Sequence, residues 1–368
     1  MPTFRSKLTA LALVAFIGAG PAASAEQRAA TDFDHALVAR TALEKHIRPG
    51  FRRLTSAFAE LQQATGSCEK QPQFRYARLR PVFRKAVLAW GRVAHLNFGP
   101  LAAENRYDRV FFWLDRKGIA RRQVARALKE SPSEYRDAAK LAQSSIGVQG
   151  LPALEQLIAT PAEPGENSSF RCSYAQAIAG NLVNIAREVE AAWSEGGIWS
   201  ERWLTPGPGN PTYIQPSETT YALIRAYLDN IERVRDVELM RPLGLAVRGR
   251  DLPGPFARSD LTMAFIGARI TGLRSLIEDG GLAKETTRTA KARGSPAAEQ
   301  AMKQVRFELR LLTRLSTPLT KVPDFFGSSQ RDEAIPLGFP LKSARFQAER
   351  AFSLTTDLPM GFNASDGD

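Results

Sequence analysis

Glu155 is the side chain whose setting first suggests chemistry. It follows Gly150-Leu151-Pro152-Ala153-Leu154, and Leu151, Leu154, Leu157 and Ile158 fall at the three-and-four spacing of an apolar helix face. Gly150 frees the backbone, and Pro152 suits a first-turn position, where its missing N–H has no helical partner in any case. The pattern predicts a helix over residues 150–158, with Glu155 about one turn in, where the positive end of the helix dipole favours a carboxylate. A carboxylate on or beside a buried face has two uses. It caps backbone amides, or it binds a hard cation or a basic ligand.

Other candidates lie around it in sequence. Asp115, Asp366 and Asp368 can add oxygen ligands, and an all-oxygen set suits a hard cation such as Fe³⁺. Arg109 and Trp113 form the pair expected to recognise carboxylates or phosphates and to stack on planar ligands. The competing reading makes Trp90, Phe111, Phe112 and Trp113 core. At the terminus, Phe362 is placed to anchor the chain while Asn363 and the carboxylates face a site.

Three histidines occur, His35, His46 and His95, and none begins a His-x-x-Glu or His-Glu-x-x-His motif. A zinc peptidase normally draws at least one of its three protein ligands from histidine. The three therefore read as ordinary helix residues, with His46 the one able to complete a site from a distance. No Gly-x-Ser-x-Gly elbow or phosphate-binding glycine loop is present.

Residues 1–25 read as a secretory signal: Arg5 and Lys7, an apolar run from Leu8 to Gly18, then Ala23-Ser24-Ala25. No cysteine stands at the cut, so the lipoprotein route is not expected, and no later run reaches the roughly 18 apolar residues of a membrane span. The expected destination is a bacterial periplasm. Cleavage leaves 343 of the 368 residues, with 48 basic and 38 acidic side chains and a net charge of +10. The basic residues are scattered, which predicts a solvated basic surface and no nucleic-acid partner. The two cysteines, Cys68 and Cys172, read as a disulfide in an oxidising compartment, the alternative being two buried thiols.

Helical periodicity is nearly continuous and strand signals are almost absent, so the expected class is all-α. Long helices are predicted over 34–64, with a kink at Pro49-Gly50, over 73–95, and over 169–194. Shorter ones are predicted over 119–129 and 132–143. Trp203-Leu-Thr-Pro206-Gly-Pro208-Gly-Asn-Pro211 reads as the linker. Further helices follow over 217–239, 259–278, 296–316 and 344–352. The expected domains are an N-terminal bundle, 26–205, and a C-terminal bundle, 206–368.

Several separated motifs resemble the imelysin-like family, nominally metallopeptidases. Ala89-Trp90 through Asn97-Phe98-Gly99-Pro100 resembles the family's tryptophan helix and Phe-Gly-Pro turn. Arg109-Val-Phe-Phe-Trp113-Leu-Asp115 resembles the segment that follows it. Gly147-Val-Gln149-Gly150-Leu-Pro152-Ala-Leu-Glu155 resembles the signature Gly-x-His-x-x-Glu, with Pro152 in the histidine's place. Met360 to Asp368 resembles the ending of the family's periplasmic branch. The resemblance implies two helical-bundle halves packed side by side, with a cleft between them. It gathers Glu155, Gln149, Trp90, Arg109, Trp113, Asp115, Asn363 and Asp366 in that cleft as ligand-binding residues, with Glu155 as the metal ligand. It also implies a tie to bacterial iron acquisition and an envelope iron-transport partner. Without the histidine, the expected role is non-catalytic binding of a metal ion, iron or another divalent or trivalent metal, or of a small molecule. The alternatives are a metallopeptidase with a rebuilt metal site and a helical interaction protein of the envelope.

Overall fold

The computed structural model describes residues 31–66, 76–160, 167–246 and 252–360, and among them there are helices and turns but no strand. The expected all-α class is the one observed. Residues 1–25, Cys68 and the stretch 361–368 fall outside the described residues, so the signal, one half of the expected disulfide, and Asn363, Asp366 and Asp368 are not placed. No described helix is long and apolar enough to cross a membrane.

The chain opens with α1 (His35–Ala42), started by Asp34, whose carboxylate accepts the Leu37 amide at 2.8 Å. It passes through a π turn (Leu43–Ile47) into α2 (Arg48–Gly66). The interruption expected at Pro49-Gly50 is met by that wider turn, which lets a residue without an N–H follow in helical conformation. Gly50 is required by close packing, since a Cβ there would lie 2.8 Å from Val93 Cγ1. Next come α3 (Tyr76–Gly91), α4 (Arg106–Val110), α5 (Ile119–Glu130), α6 (Ala138–Ala142), α7 (Gly150–Ala159), α8 (Ser168–Trp193) and α9 (Ile198–Leu204).

The Pro/Gly-rich stretch after α9 is tied down by Asn210, whose Nδ2 donates to Arg202 O at 2.6 Å and Thr205 O at 3.1 Å. Beyond it lie α10 (Pro216–Arg233) and a second π turn (Val234–Leu239). The chain continues through α11 (Thr262–Glu278), α12 (Leu282–Ala292), α13 (Pro296–Leu319) and α14 (Gly338–Ser353). α12 has no counterpart among the predicted helices. Its buried face is made partly of Thr286, Thr289 and Ala290, which give little apolar signal.

α2 packs on α3 and α8, and α13 on α11 and α14, while α3 meets α11 and α1 meets α10. One continuous apolar cluster runs from Phe33 to Phe352. Cys172 is buried within α8.

Candidate functional site

The local fold around Glu155 is set by a glycine. Gly150 has φ +82°, and a Cβ there would lie 2.5 Å from Arg109 O and 2.7 Å from Val110 O. Only glycine lets the start of α7 press against the end of α4. Gln149, just before it, is buried and belongs to a polar cluster. Asn181 Nδ2 donates to Gln149 Oε1 at 2.7 Å. Gln149 Nε2 donates to Ser144 O at 3.0 Å. Arg109 joins through Nη2, which donates to Asn181 Oδ1 at 3.2 Å, and Nε, 3.5 Å from Gln149 Oε1. These contacts fix the entrance to α7 and occupy both side chains.

Glu155 lies beyond the first turn of α7, and its carboxylate satisfies another segment instead of its own helix. Oε1 accepts the Ser259 amide at 2.9 Å. Ser259 closes a short 3₁₀ turn (Ala257–Ser259) held between two non-glycine residues with left-handed backbone, Phe256 at φ 56° and Asp260 at φ 55°. Asp260 is fixed in turn by accepting the amides of Asp324 and Phe325. Glu155 is 6% exposed, and burial pushes its carboxyl up to about 7, against the pull of the Ser259 and Arg258 amides and the Arg258 charge.

Glu155 forms part of the wall of a cavity of about 500 Å³. Pro152 and Trp113 line the same space, as do Asp115, Arg116, Lys117 and Arg121 on one side and Gly254, Phe256 and Arg258 on the other. Phe111 stacks between Trp113 and Phe256 at centroid distances of 6.0 and 5.2 Å, giving that wall a rigid aromatic backing. Asp115 is engaged at the start of α5, its carboxylate accepting the amides of Ile119 at 2.7 Å and Arg121 at 3.3 Å.

The structure thus brings Glu155, Trp113 and Asp115 to one cavity. Arg109 and Gln149 sit in the polar cluster behind it. Trp90 is fully buried against Tyr107 and Phe111, with its Nε1 lacking a hydrogen-bond partner.

A second constellation was not anticipated from the sequence. His46 and His95, expected to be ordinary helix residues with His46 able to complete a site from a distance, meet with their Nε2 atoms 2.8 Å apart, both buried. His46 Nδ1 lies 3.0 Å from Ser275 Oγ, which donates to Asp279 at 2.7 Å. His95 also lines a separate cavity of about 580 Å³. His46 lies in the first π turn, and such turns cluster at functional sites, but nothing in its sequence surroundings marks the pairing with His95. His35 is elsewhere, with Nδ1 2.9 Å from Thr220 Oγ1. Among the described residues no three His, Cys, Asp or Glu side chains converge as a metal site.

A family model described as Imelysin matches residues 47–315, and the chain belongs to the imelysin family. Its fold is similar to that of an imelysin-like protein from Psychrobacter arcticum 273-4, at 18% identity and a TM-score of 0.74, covering 90% of this chain and 99% of the other. It is also similar to a candidate iron-regulated protein A precursor from Parabacteroides distasonis ATCC 8503, at 9% identity and a TM-score of 0.64, covering 87% and 94%. No curated protein matches.

Proposed function

We propose that this chain is an exported, non-catalytic binding protein that serves iron acquisition and holds a metal ion or small ligand in the cavity at Glu155. The observation that carries this reading is the Glu155 carboxyl itself, buried on the wall of a ligand-sized cavity with Pro152 beside it. Proline cannot ligate a metal, so the site lacks the nitrogen donor that a family peptidase would use. Membership of the imelysin family and the likeness to a candidate iron-regulated protein support the iron connection.

The cavity takes one wall from residues 112–156 and the other from residues 252–258. Those stretches lie on either side of the proposed division at residue 206, which supports two halves, 26–205 and 206–368, with the site in the cleft between them. The N-terminal signal supports a periplasmic destination, and a Cys68–Cys172 disulfide would suit that compartment.

Calorimetric titration of the mature protein with Fe²⁺, Fe³⁺, Zn²⁺, Cu²⁺ and haem, beside Glu155→Ala, tests the proposal. Stoichiometric binding lost in the variant is the expected result. Absence of binding, with hydrolysis of a peptide substrate by the wild type, would overturn it.

A further inference from the structure

The cavity at Glu155 carries an imbalance of charge that narrows its ligand. Arg116, Lys117, Arg121 and Arg258 stand on its exposed rim, and among the described residues none of the four makes an ion pair. One other cavity is different. In the space beside His95, Arg225 pairs with Asp229 at 2.6 Å and Arg233 with Glu238 at 3.4 Å. The two carboxyls at the Glu155 cavity offset the rim only in part, since four cationic side chains face two acidic ones. Asp115 is turned to the Ile119 and Arg121 amides, and Glu155 accepts the Ser259 amide.

From this geometry we infer that the cavity takes a small oxygen-rich anion, an oligocarboxylate or its ferric chelate, in preference to a bare cation. A bare cation would have to pass a rim of four positive side chains to reach one buried carboxyl. An oligocarboxylate meets guanidinium groups whose planar fork matches carboxylate oxygens in pairs. At the inner wall, the Glu155 carboxyl borders the ligand space while one of its oxygens keeps the Ser259 amide. Trp113 and Phe256 give the aliphatic part of such a ligand an apolar wall. The inference rests on the proposed binding role of this cavity and specifies what fills it.

The test is calorimetry on the full mature chain with three probes: citrate alone, ferric citrate, and Zn²⁺ alone. Wild type is compared with the Arg116→Ala/Arg121→Ala double variant and with Glu155→Ala. Both arginines are exposed, so the double variant should keep the wild-type circular dichroism and melting temperature. Citrate or ferric citrate should bind, with affinity falling roughly tenfold in the double variant and falling again as NaCl rises from about 50 to about 500 mM. The tighter of the two names the source of the anion. Citrate affinity unchanged in the double variant would overturn the inference. Zn²⁺ binding abolished in Glu155→Ala, with neither citrate form bound, would also overturn it while leaving the binding role of the cavity standing. No binding of any probe would remove both.

Discussion

The Nε2 atoms of His46 and His95 lie 2.8 Å apart, so one ring must donate a proton and the other accept it between two buried imidazoles. The neighbouring bonds set its place. The Ser275 hydroxyl spends its hydrogen on Asp279, so Ser275 Oγ accepts from His46 Nδ1–H. His46 Nε2 is then bare and accepts from His95 Nε2–H, leaving the unpartnered His95 Nδ1 without a proton. Imidazole ¹⁵N spectra at pH 7.5 should show His46 as the Nδ1–H tautomer and His95 as the Nε2–H tautomer. The same tautomer on both rings would contradict the chain.

Acid should destabilise the protein through this pair. Burial pushes His46 down to about 4, with Asp279 opposing and Arg53 assisting, and His95 is held well below its ordinary value by burial and by the His46 and Arg269 charges. The unfolded chain takes up these protons near pH 6.5, whereas the folded one does not. Stability is therefore lost as pH falls from about 6.5 towards 4, by about 3 kcal/mol from His46 alone. Denaturant midpoints at several pH values measure the slope, and His46→Gln should flatten it.

Glu155 acts with the opposite sign. Its folded carboxyl titrates near 7, above the ordinary 4.5, so the folded state holds a proton that the unfolded state has released. Its contribution is complete below pH 4.5 and is lost as pH rises through 7, by about 3 kcal/mol. Glu155→Gln keeps an oxygen for the Ser259 amide and carries no charge. It should be more stable than wild type at pH 8, with the difference shrinking towards pH 5. A variant equally destabilised at both values would show that the charged form is the one the fold prefers.

Gly150→Ala should cost about 2–4 kcal/mol, because it places a side chain at positive φ and against two carbonyl oxygens. The start of α7 would have to withdraw from α4, drawing Gln149 away from Arg109. Thermal melts give the loss; a neutral change would mean that this contact is not tight in solution.

What could be read beforehand was what depends on local pattern. The α7 stripe of Leu151, Leu154, Leu157 and Ile158 gave its helix and placed Glu155 against a buried face, and repeated long amphipathic runs gave the all-α class. Distance in sequence hid the rest. Ser259 lies 104 residues from the carboxylate it donates to, and His95 lies 49 from His46, in the turn beyond α3. Arg109 and Gln149 carried side chains suited to a ligand, but only packing could show that they bond to one another through Asn181. Asp115 likewise reads as a free oxygen donor until α5 is seen to start on it.

Alkylation of the unreduced, denatured mature protein should leave both cysteines unmodified, as the expected Cys68–Cys172 bond requires. Closing a loop of about a hundred residues, that bond should contribute up to about 4–5 kcal/mol on the loop-entropy model, so reductant should lower the melting temperature. Two alkylated thiols by intact mass would dismiss the pairing.

Pro152→His restores the imidazole that the family pattern carries three residues before the glutamate. Positions three apart on a helix share a face, and Pro152 and Glu155 line the same cavity. A neutral imidazole and a carboxylate are ligands suited to zinc, and water can complete the coordination. The substitution gives up a proline in the first turn, a loss of order 0.5–1 kcal/mol through the unfolded chain, so the variant should fold. It should bind Zn²⁺ at least about tenfold more tightly than wild type by calorimetry, with the gain abolished by adding Glu155→Ala. Binding that rises with pH through the titration of the histidine and Glu155 would mark both as ligands, since each must shed its proton to coordinate. No gain would mean that the two side chains cannot converge here, and that the wall of this cavity has moved away from metal chemistry by more than one residue.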